Sequence, residues 1–327
     1  MSGAESAGVA TGCDDEWDAF QARVARQESH RKKHCMNQGQ QNKSDSIKEF
    51  EFTTRDFERV RALIYKRAGI ALAESKQEMV YSRLARRLRA TGITSFVRYL
   101  DELESGGNDQ EWESFTNALT TNLTSFFREA HHFPILAEHA GKLKGQVEVW
   151  CSASSTGEEP YSIAITLCEA FGTLTPPAHI IATDIDTNVL TTAANGVYPI
   201  DRLDKMSSER AKRFFLRGKG EQAGLVRVRP ELKKMVTFKQ LNLLSNSWPI
   251  SGPFDVIFCR NVMIYFDKPT QGKILSRFAP LMKPDGLLFA GHSENFLYLT
   301  DAFKLRGKTV YELDPKGAAK PLLSRQA

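Results

Sequence analysis

From Val147 onward, short apolar runs recur at intervals that leave room for one amphipathic helix between them, and this alternation constrains the fold more than any other feature. Val147 to Trp150, His179 to Asp184, Met235 to Phe238, Phe254 to Phe258 and Gly286 to Phe289 read as strands. Pro160 to Phe171, Asn188 to Ala194 and Lys268 to Met282 read as helices, and Phe303 to Leu313 alternates like a closing hairpin. Helices between successive strands force parallel neighbours joined by right-handed crossovers, so 147–315 is expected to form a doubly wound α/β sheet. Residues 199–234 interrupt the pattern. They are rich in Arg and Lys and carry Gly218, Gly220 and Gly224 before Leu225-Val-Arg-Val228, which suggests a small antiparallel insertion.

Upstream, 47–118 has helical texture throughout. Thr53 or Thr54 is placed to cap a helix ending at Gly69, and Ser75 to cap one that runs to about Ala90. Thr94 and Asp109 are placed to open two more, on either side of the turn Ser105-Gly-Gly-Asn108. The expectation is a small all-α domain, joined to the sheet by a linker segment over 119–146. Residues 1–46 and 316–327 read as mobile ends, apart from a short helix suggested by Trp17, Phe20 and Val24.

Charge is informative only where it is local. The chain carries 44 basic and 39 acidic residues, a net +5, too little to identify a partner. Lys76 to Arg98, however, holds six bases against one acid, Glu78. On the helix expected there, Val80, Leu84 and Leu88 share one face while Arg83, Arg86, Arg87 and Arg89 spread over the other. With no acid interleaved, pairing within that helix leaves the face positive, and a docking surface for an acidic partner competes with a merely solvated face. Cys13, Cys35, Cys151, Cys168 and Cys259 are scattered without CxxC spacing, which favours reduced thiols over a disulfide framework or zinc site. With no signal-peptide pattern and no apolar span, the chain is expected to be cytoplasmic.

In an open parallel sheet, ligands bind beyond the carboxyl ends of the strands, so the residues just past each strand are a functional test. After the first comes Cys151-Ser-Ala-Ser-Ser-Thr-Gly-Glu-Glu-Pro160, with Pro160 expected at the first helical position. One glycine and two carboxylates would repel a pyrophosphate and suit a cationic group, although first-turn acids also complement a helix dipole. The second strand ends at Asp184, suited to accepting hydrogen bonds from both ribose hydroxyls, and Asp186 is suited to capping the next helix. Asn242-Leu243 offers an amide and an apolar surface for a base, and Cys259-Arg-Asn-Val-Met-Ile-Tyr-Phe266 comes after the fourth strand. Acidic, ribose-binding and base-facing groups without a phosphate cradle describe a nucleoside bearing an amino acid, S-adenosylmethionine.

The strings Asn122-Leu-Thr-Ser-Phe-Phe-Arg128, Ser155-Thr-Gly-Glu-Glu-Pro-Tyr-Ser162, Ala182-Thr-Asp-Ile-Asp186, Phe258-Cys-Arg-Asn-Val-Met-Ile-Tyr-Phe266 and Gly291-His-Ser-Glu294 resemble the CheR-type chemotaxis receptor methyltransferases from about Phe52 to Leu313. The resemblance implies a class I methyltransferase that esterifies glutamate side chains on the cytoplasmic domain of chemoreceptors, using S-adenosylmethionine, releasing S-adenosylhomocysteine and requiring no metal. It implies cofactor contacts at Asn122, Thr124, Arg128, Glu159, Asp184, Asn242, Leu243, Cys259, Arg260 and Asn261. Glu159 is preferred on alignment of the Gly-Glu-Glu-Pro string, with adjacent Glu158 the alternative. Arg128 and Tyr265 resemble the residues beside the incoming carboxylate and the transferred methyl. Arg83, Arg86 and Arg89 match a basic helix proposed to grip the receptor. Arg217, Gly218, Gly220, Gly224 and Arg227 lie in a stretch resembling a β-subdomain that binds a receptor's C-terminal pentapeptide, which would recruit the enzyme to membrane receptor arrays without membrane insertion.

Two other readings compete. A nucleic-acid methyltransferase would use the basic patch, but Arg260-Asn261 stands where an Asn/Asp-Pro-Pro-Tyr motif would be, and the patch lacks interleaved aromatics. The other is a non-catalytic, cofactor-sensing adaptor that docks on receptors through the patch and the insertion, against which Asp184, Arg128 and Tyr265 together argue.

Overall fold

The computed structural model describes residues 48–106 and 108–315. The expected mobile ends, Cys13, Cys35, Ile47, Gly107 and the short helix at Trp17 to Val24 lie outside the described residues.

The amino-terminal portion is a helical bundle. In α1 (Thr54–Ala68), Thr53 and Asp56 form a reciprocal capping box, and Gly69 closes the helix in the left-handed region. A 3-10 turn over Glu74–Lys76 leads into α2 (Gln77–Thr91), so Ser75 lies inside that turn and is not the cap. Ser95, one residue after Thr94, caps α3 (Phe96–Glu104). Asn108 caps α4 (Asp109–Leu119), whose first residue is Asp109. Val80, Leu84 and Leu88 of α2 pack with Phe57, Val60, Ile64, Phe96, Leu100 and Phe115 into one apolar cluster.

Residues 119–146, expected as a linker, contain helix α5 (His132–Ala140), which packs on the sheet through Phe133 and Leu136. The α/β portion then runs β1 (Val147–Cys151), α6 (Glu158–Phe171), β2 (Ala178–Asp184) and α7 (Thr187–Asn195), with Asp186 capping α7 as expected. After the insertion come β6 (Val236–Gln240), β7 (Phe254–Cys259), α10 (Lys268–Phe278), β8 (Met282–Ala290), β9 (Phe303–Gly307) and β10 (Val310–Leu313). Met282 begins a strand, which shortens the helix expected to reach it. Met235 ends a short helix, α9 (Pro230–Met235), and does not begin β6.

The seven strands lie in the order β6-β2-β1-β7-β8-β10-β9. The first five are parallel, and β10 runs antiparallel to both β8 and β9. Side chains alternate across the pleat. Val149, Ile180, Val256 and Phe289 meet α5 and α6 on one face, while Trp150, Ile181, Ile257 and Leu288 meet α10 on the other. Both faces are therefore covered, which explains why these strands read as continuous apolar runs.

The insertion is a three-stranded antiparallel sheet in the order β3-β5-β4, built from β3 (Val197–Pro199), β4 (Phe215–Arg217) and β5 (Leu225–Val228). A short helix, α8 (Ser208–Phe214), precedes β4. Gly218 has no room for a side chain, since a Cβ there would stand 2.1 Å from the Gln222 carbonyl oxygen. Gly220 and Gly224 adopt φ of +58° and +88°, the left-handed region. These glycines shape the turn between β4 and β5.

Candidate active site

A cleft of about 450 Å³ opens where the bundle meets the carboxyl ends of β1, β2, β6 and β7. Its roof is the α1–α2 connection, with Leu72 and Lys76, and the first turns of α2, with Met79 and Arg83, and its side is the segment from Leu119 to Arg128. The floor comes from the strand ends. Asn122, Thr124, Arg128, Glu159, Asp184, Asn242, Leu243, Arg260, Asn261 and Tyr265 all line it, gathered from five separate stretches of chain.

Asp184 is almost fully buried, and its two oxygens accept from the backbone N–H of Ser155 (2.8 Å) and of Asp186 (3.0 Å). Burial outweighs these bonds and raises its pKa to about 6. Each oxygen keeps a second lone pair for a ligand hydroxyl. Glu159 lines the cleft, whereas Glu158 is buried against the Thr156 hydroxyl at 2.6 Å and lies outside the lining. Helix α6 starts at Glu158, making Pro160 its third residue. That start depends on Gly157, at φ +99°, where a Cβ would lie 2.7 Å from the Tyr198 hydroxyl and 2.8 Å from Ala193 Cβ. Gly157→Ala should therefore cost about 2 kcal/mol or more of stability, visible as a lowered urea midpoint.

Arg260 is the electrostatic centre. Its side chain is buried, ion-paired to Glu159 at 2.8 Å, and placed 3.6 Å from Glu129. One of its terminal nitrogens donates to the Arg128 carbonyl. Burial raises the Glu159 pKa, and the neighbouring guanidinium works against that rise. For Glu129, burial is outweighed by Arg260 and by bonds from His292 and Asn261, so its pKa is lowered. Glu129 Oε2, His132 Nδ1 and Arg260 Nε are buried and carry no hydrogen bond. His131 joins Glu129 and His132 in a cluster of metal-ligand type. Because the guanidinium adjoins the same atoms, this cluster suits a bridging water, which donates twice and accepts once, better than a divalent cation.

A second carboxylate that sequence reasoning did not single out, Glu294, organises the turn after β7. It is 4% exposed and accepts from the backbone N–H of Asn261, Val262, Met263 and Gly291 at 2.6–2.9 Å. The turn holds Asn261 at φ +57° and presents Tyr265, whose carbonyl accepts from Ala71 N–H at 2.9 Å. The Gly291-His-Ser-Glu294 string was the one signal for it, but nothing local says where its carboxylate points.

Other expectations change. Cys259 ends β7 facing the sheet core, fully buried, and does not line the cleft. Asn122 donates to Asp186 at 2.8 Å, tying the connecting segment to the sheet portion, and Asn242 donates to the Arg67 carbonyl at 2.8 Å, tying the bundle to it. Two of the four arginines on the basic face of α2 are neutralised from neighbouring segments. Arg87 pairs with Glu111 at 2.6 Å, Arg89 pairs with Glu49 at 2.6 Å, and Arg83 donates to the Ala118 and Thr120 carbonyls while lining the cleft. Arg86 is exposed and without a partner among the described residues. Arg217, Gly218, Gly220, Gly224 and Arg227 lie away from the cleft in the insertion. The free thiols among the described residues, Cys151, Cys168 and Cys259, are buried. No helix among the described residues is long and apolar enough to cross a membrane.

The donor set suits a ribose at Asp184, a cationic group near Glu159, and a base against Leu243, Ile185 and Phe266. The carboxylates of Asp184 and Glu159 in the lining disfavour a phosphate. Residues 55–120 match the family described as "CheR methyltransferase, all-alpha domain" and residues 122–312 that described as "CheR methyltransferase, SAM binding domain". The chain is 59% identical over 257 residues to the chemotaxis protein methyltransferase of Salmonella typhimurium, covering 79% of this chain and 89% of that protein. It is 53% identical over 266 residues to chemotaxis protein methyltransferase 2 of Pseudomonas aeruginosa, covering 80% and 94% respectively.

Proposed function

Because the chain belongs to the CheR methyltransferase family and carries its S-adenosylmethionine-binding and all-helical domains, we propose that it methylates glutamate side chains of chemoreceptors, forming methyl esters. The observation that carries this reading is that Asp184 and Glu159, suited to the cofactor, share one cleft with Arg128 and Tyr265, suited to the acceptor. The relatives' names, which join chemotaxis to methyl transfer, point to chemoreceptors as the acceptor.

S-adenosylmethionine, when bound, supplies a methyl group already activated by its sulfonium. A glutamate carboxylate is ionised near neutral pH, so the protein needs no general base and acts by placement and desolvation. Asp184 takes the ribose hydroxyls, Glu159 faces the amino-acid end, and Asn242 with Leu243 borders the base. Arg260 limits the negative charge that Glu159 and Glu129 place there. Arg128 is half-buried, with one terminal nitrogen donating to the Leu123 carbonyl at 2.8 Å. Its remaining donors orient the incoming carboxylate without withdrawing it from the methyl. Tyr265, its backbone held from the roof, positions the reacting groups. Arg86 and the insertion with Arg217 and Arg227 form the receptor-docking surface, the insertion taking a C-terminal pentapeptide.

The direct test is incubation with tritium-methyl S-adenosylmethionine and receptor-bearing membranes, followed by base treatment. Volatile labelled methanol is expected; label stable to base would overturn ester formation. Tyr265→Phe should lower kcat about tenfold or more while leaving S-adenosylhomocysteine affinity within about twofold, because it removes a group that acts in the transition state. Arg86→Ala should raise KM for receptor a few-fold with cofactor affinity unchanged.

A further inference from the structure

Arg128 lies between two residues whose backbones occupy the left-handed region, Phe127 at φ +52° and Glu129 at φ +54°. Residues with a Cβ enter that region at a cost, so contacts from outside must hold them there. Packing alone does not do so. A second hollow, of about 720 Å³, is lined by Ser125 to Ala130, and Arg128 borders both this hollow and the active-site cleft. The segment is a wall between two open spaces, kept in place by specific anchors. Before Arg128, the Phe127 N–H donates to the Ser162 hydroxyl at 2.9 Å, and Arg210 lies over the Phe127 ring at 4.3 Å. After it, Glu129 turns its carboxylate towards the sheet portion. One oxygen accepts from Asn261 Nδ2 at 3.3 Å and lies 3.1 Å from His292 Nδ1, and the other stands 3.6 Å from Arg260. Arg260 in turn donates to the Arg128 carbonyl.

We propose that Glu129 is the positioning residue that aims Arg128 into the cleft; this rests on the acceptor role proposed for Arg128. Glu129 does not line the active-site cleft, and its side chain is 10% exposed, so it acts through its neighbour. Its partners Arg260 and Asn261 open the turn that carries Tyr265, the turn whose N–H groups Glu294 gathers. Both groups proposed to meet the acceptor are thereby referred to one rigid element, Tyr265 along the chain and Arg128 through the Glu129 carboxylate. Neutralising Arg260 is a task that Glu159 already performs at the shorter distance of 2.8 Å, and it accounts for neither the Asn261 nor the His292 contact. With the carboxylate released, the backbone at Glu129 is free to leave the left-handed region and the segment to shift towards the hollow behind it. A misplacement of about 1 Å at a reacting group costs up to about a hundredfold in rate.

The experiment measures kcat and KM on receptor-bearing membranes for wild type, Glu129→Gln, Arg128→Ala and the double variant. S-adenosylhomocysteine affinity is measured alongside. Glu129→Gln keeps the side chain's size and removes the charge that Arg260 meets. It is expected to lower kcat about tenfold, with KM for receptor within about threefold and S-adenosylhomocysteine affinity within about twofold, which also shows that the variant is folded. Arg128→Ala is expected to lower kcat about a hundredfold, and the double variant to be no slower than Arg128→Ala by more than about twofold, because Glu129 acts only through Arg128. Losses that multiply, to about a thousandfold in the double variant, would overturn the proposal. So would a Glu129→Gln kcat within about twofold of wild type, or a tenfold loss of S-adenosylhomocysteine affinity, which would place the effect of Glu129 on the cofactor side through Arg260. If Arg128→Ala itself keeps the wild-type kcat, the acceptor role of Arg128 fails first, and Glu129 has nothing to position.

Discussion

Asp184→Asn is expected to weaken S-adenosylhomocysteine binding at least a hundredfold at pH 7.5, the largest loss of cofactor affinity from any single change in the cleft. The substitution keeps the side chain's size but removes the charge. It also turns an amide NH2 towards either the Ser155 or the Asp186 N–H, each of which donates to this carboxylate in the native protein. Two charge-assisted bonds to ribose hydroxyls, at about 1.5–3 kcal/mol each, are weakened or lost together. Calorimetric titration gives the affinity directly, and a change of less than about fivefold would remove Asp184 from the cofactor's contacts.

The same residue predicts a pH dependence whose sign is set by burial. Its pKa rises from 3.8 to about 6 in the folded protein. Its contribution to stability is therefore fully present below about pH 4 and is lost as pH rises through about 6. Ligand hydroxyls need the ionised acceptor, so ligand binding releases the proton that acid pH restores. Affinity should fall as pH drops from 7.5 to 5, with Glu159, whose pKa is also raised, adding in the same direction. In Asp184→Asn that dependence should become shallower. Measuring the rise in thermal midpoint conferred by S-adenosylhomocysteine at each pH separates the two proteins.

Glu294→Ala should lower stability by about 4 kcal/mol. Four backbone N–H groups, those of Asn261, Val262, Met263 and Gly291, converge on this one buried carboxylate. Each orphaned donor costs about 1–3 kcal/mol, offset in part by water admitted from the cleft. Burial raises the Glu294 pKa while these donors oppose the rise, so the site depends on donors that the fold fixes in place. Glu294→Gln should lose less, because one oxygen still accepts. Urea unfolding measures both; a loss under 1 kcal/mol for the alanine variant would mean that the turn holds itself.

What the sequence made legible was local. The strands and their ends, Asp184 at the tip of β2, and Asp186 as a helix cap are all set by residue type and spacing within a few positions. What it hid depended on contacts between distant segments. Arg260 could be seen to come after β7, but not that Glu129 and Glu159, 131 and 101 positions earlier by number, would surround it. The positive face of α2 was counted along one helix, and Glu111 and Glu49 approach it from other segments. Cys259 sits in a motif that borders the cleft, yet strand alternation turns its side chain into the core. Ser75 and Thr94 are good caps by composition. Tertiary packing tightened one junction into a 3-10 turn, and at the other Ser95 made the bond.

The bundle closes its own apolar cluster, with Ile185 the one residue of the sheet portion packed against that cluster among the described residues. Much of its attachment is polar, through Tyr65 with Asp267, Ala71 with Tyr265, Arg67 with Asn242, and Asn117 with Thr187. A part that is complete in itself and joined largely by hydrogen bonds is one that recombination can exchange as a block.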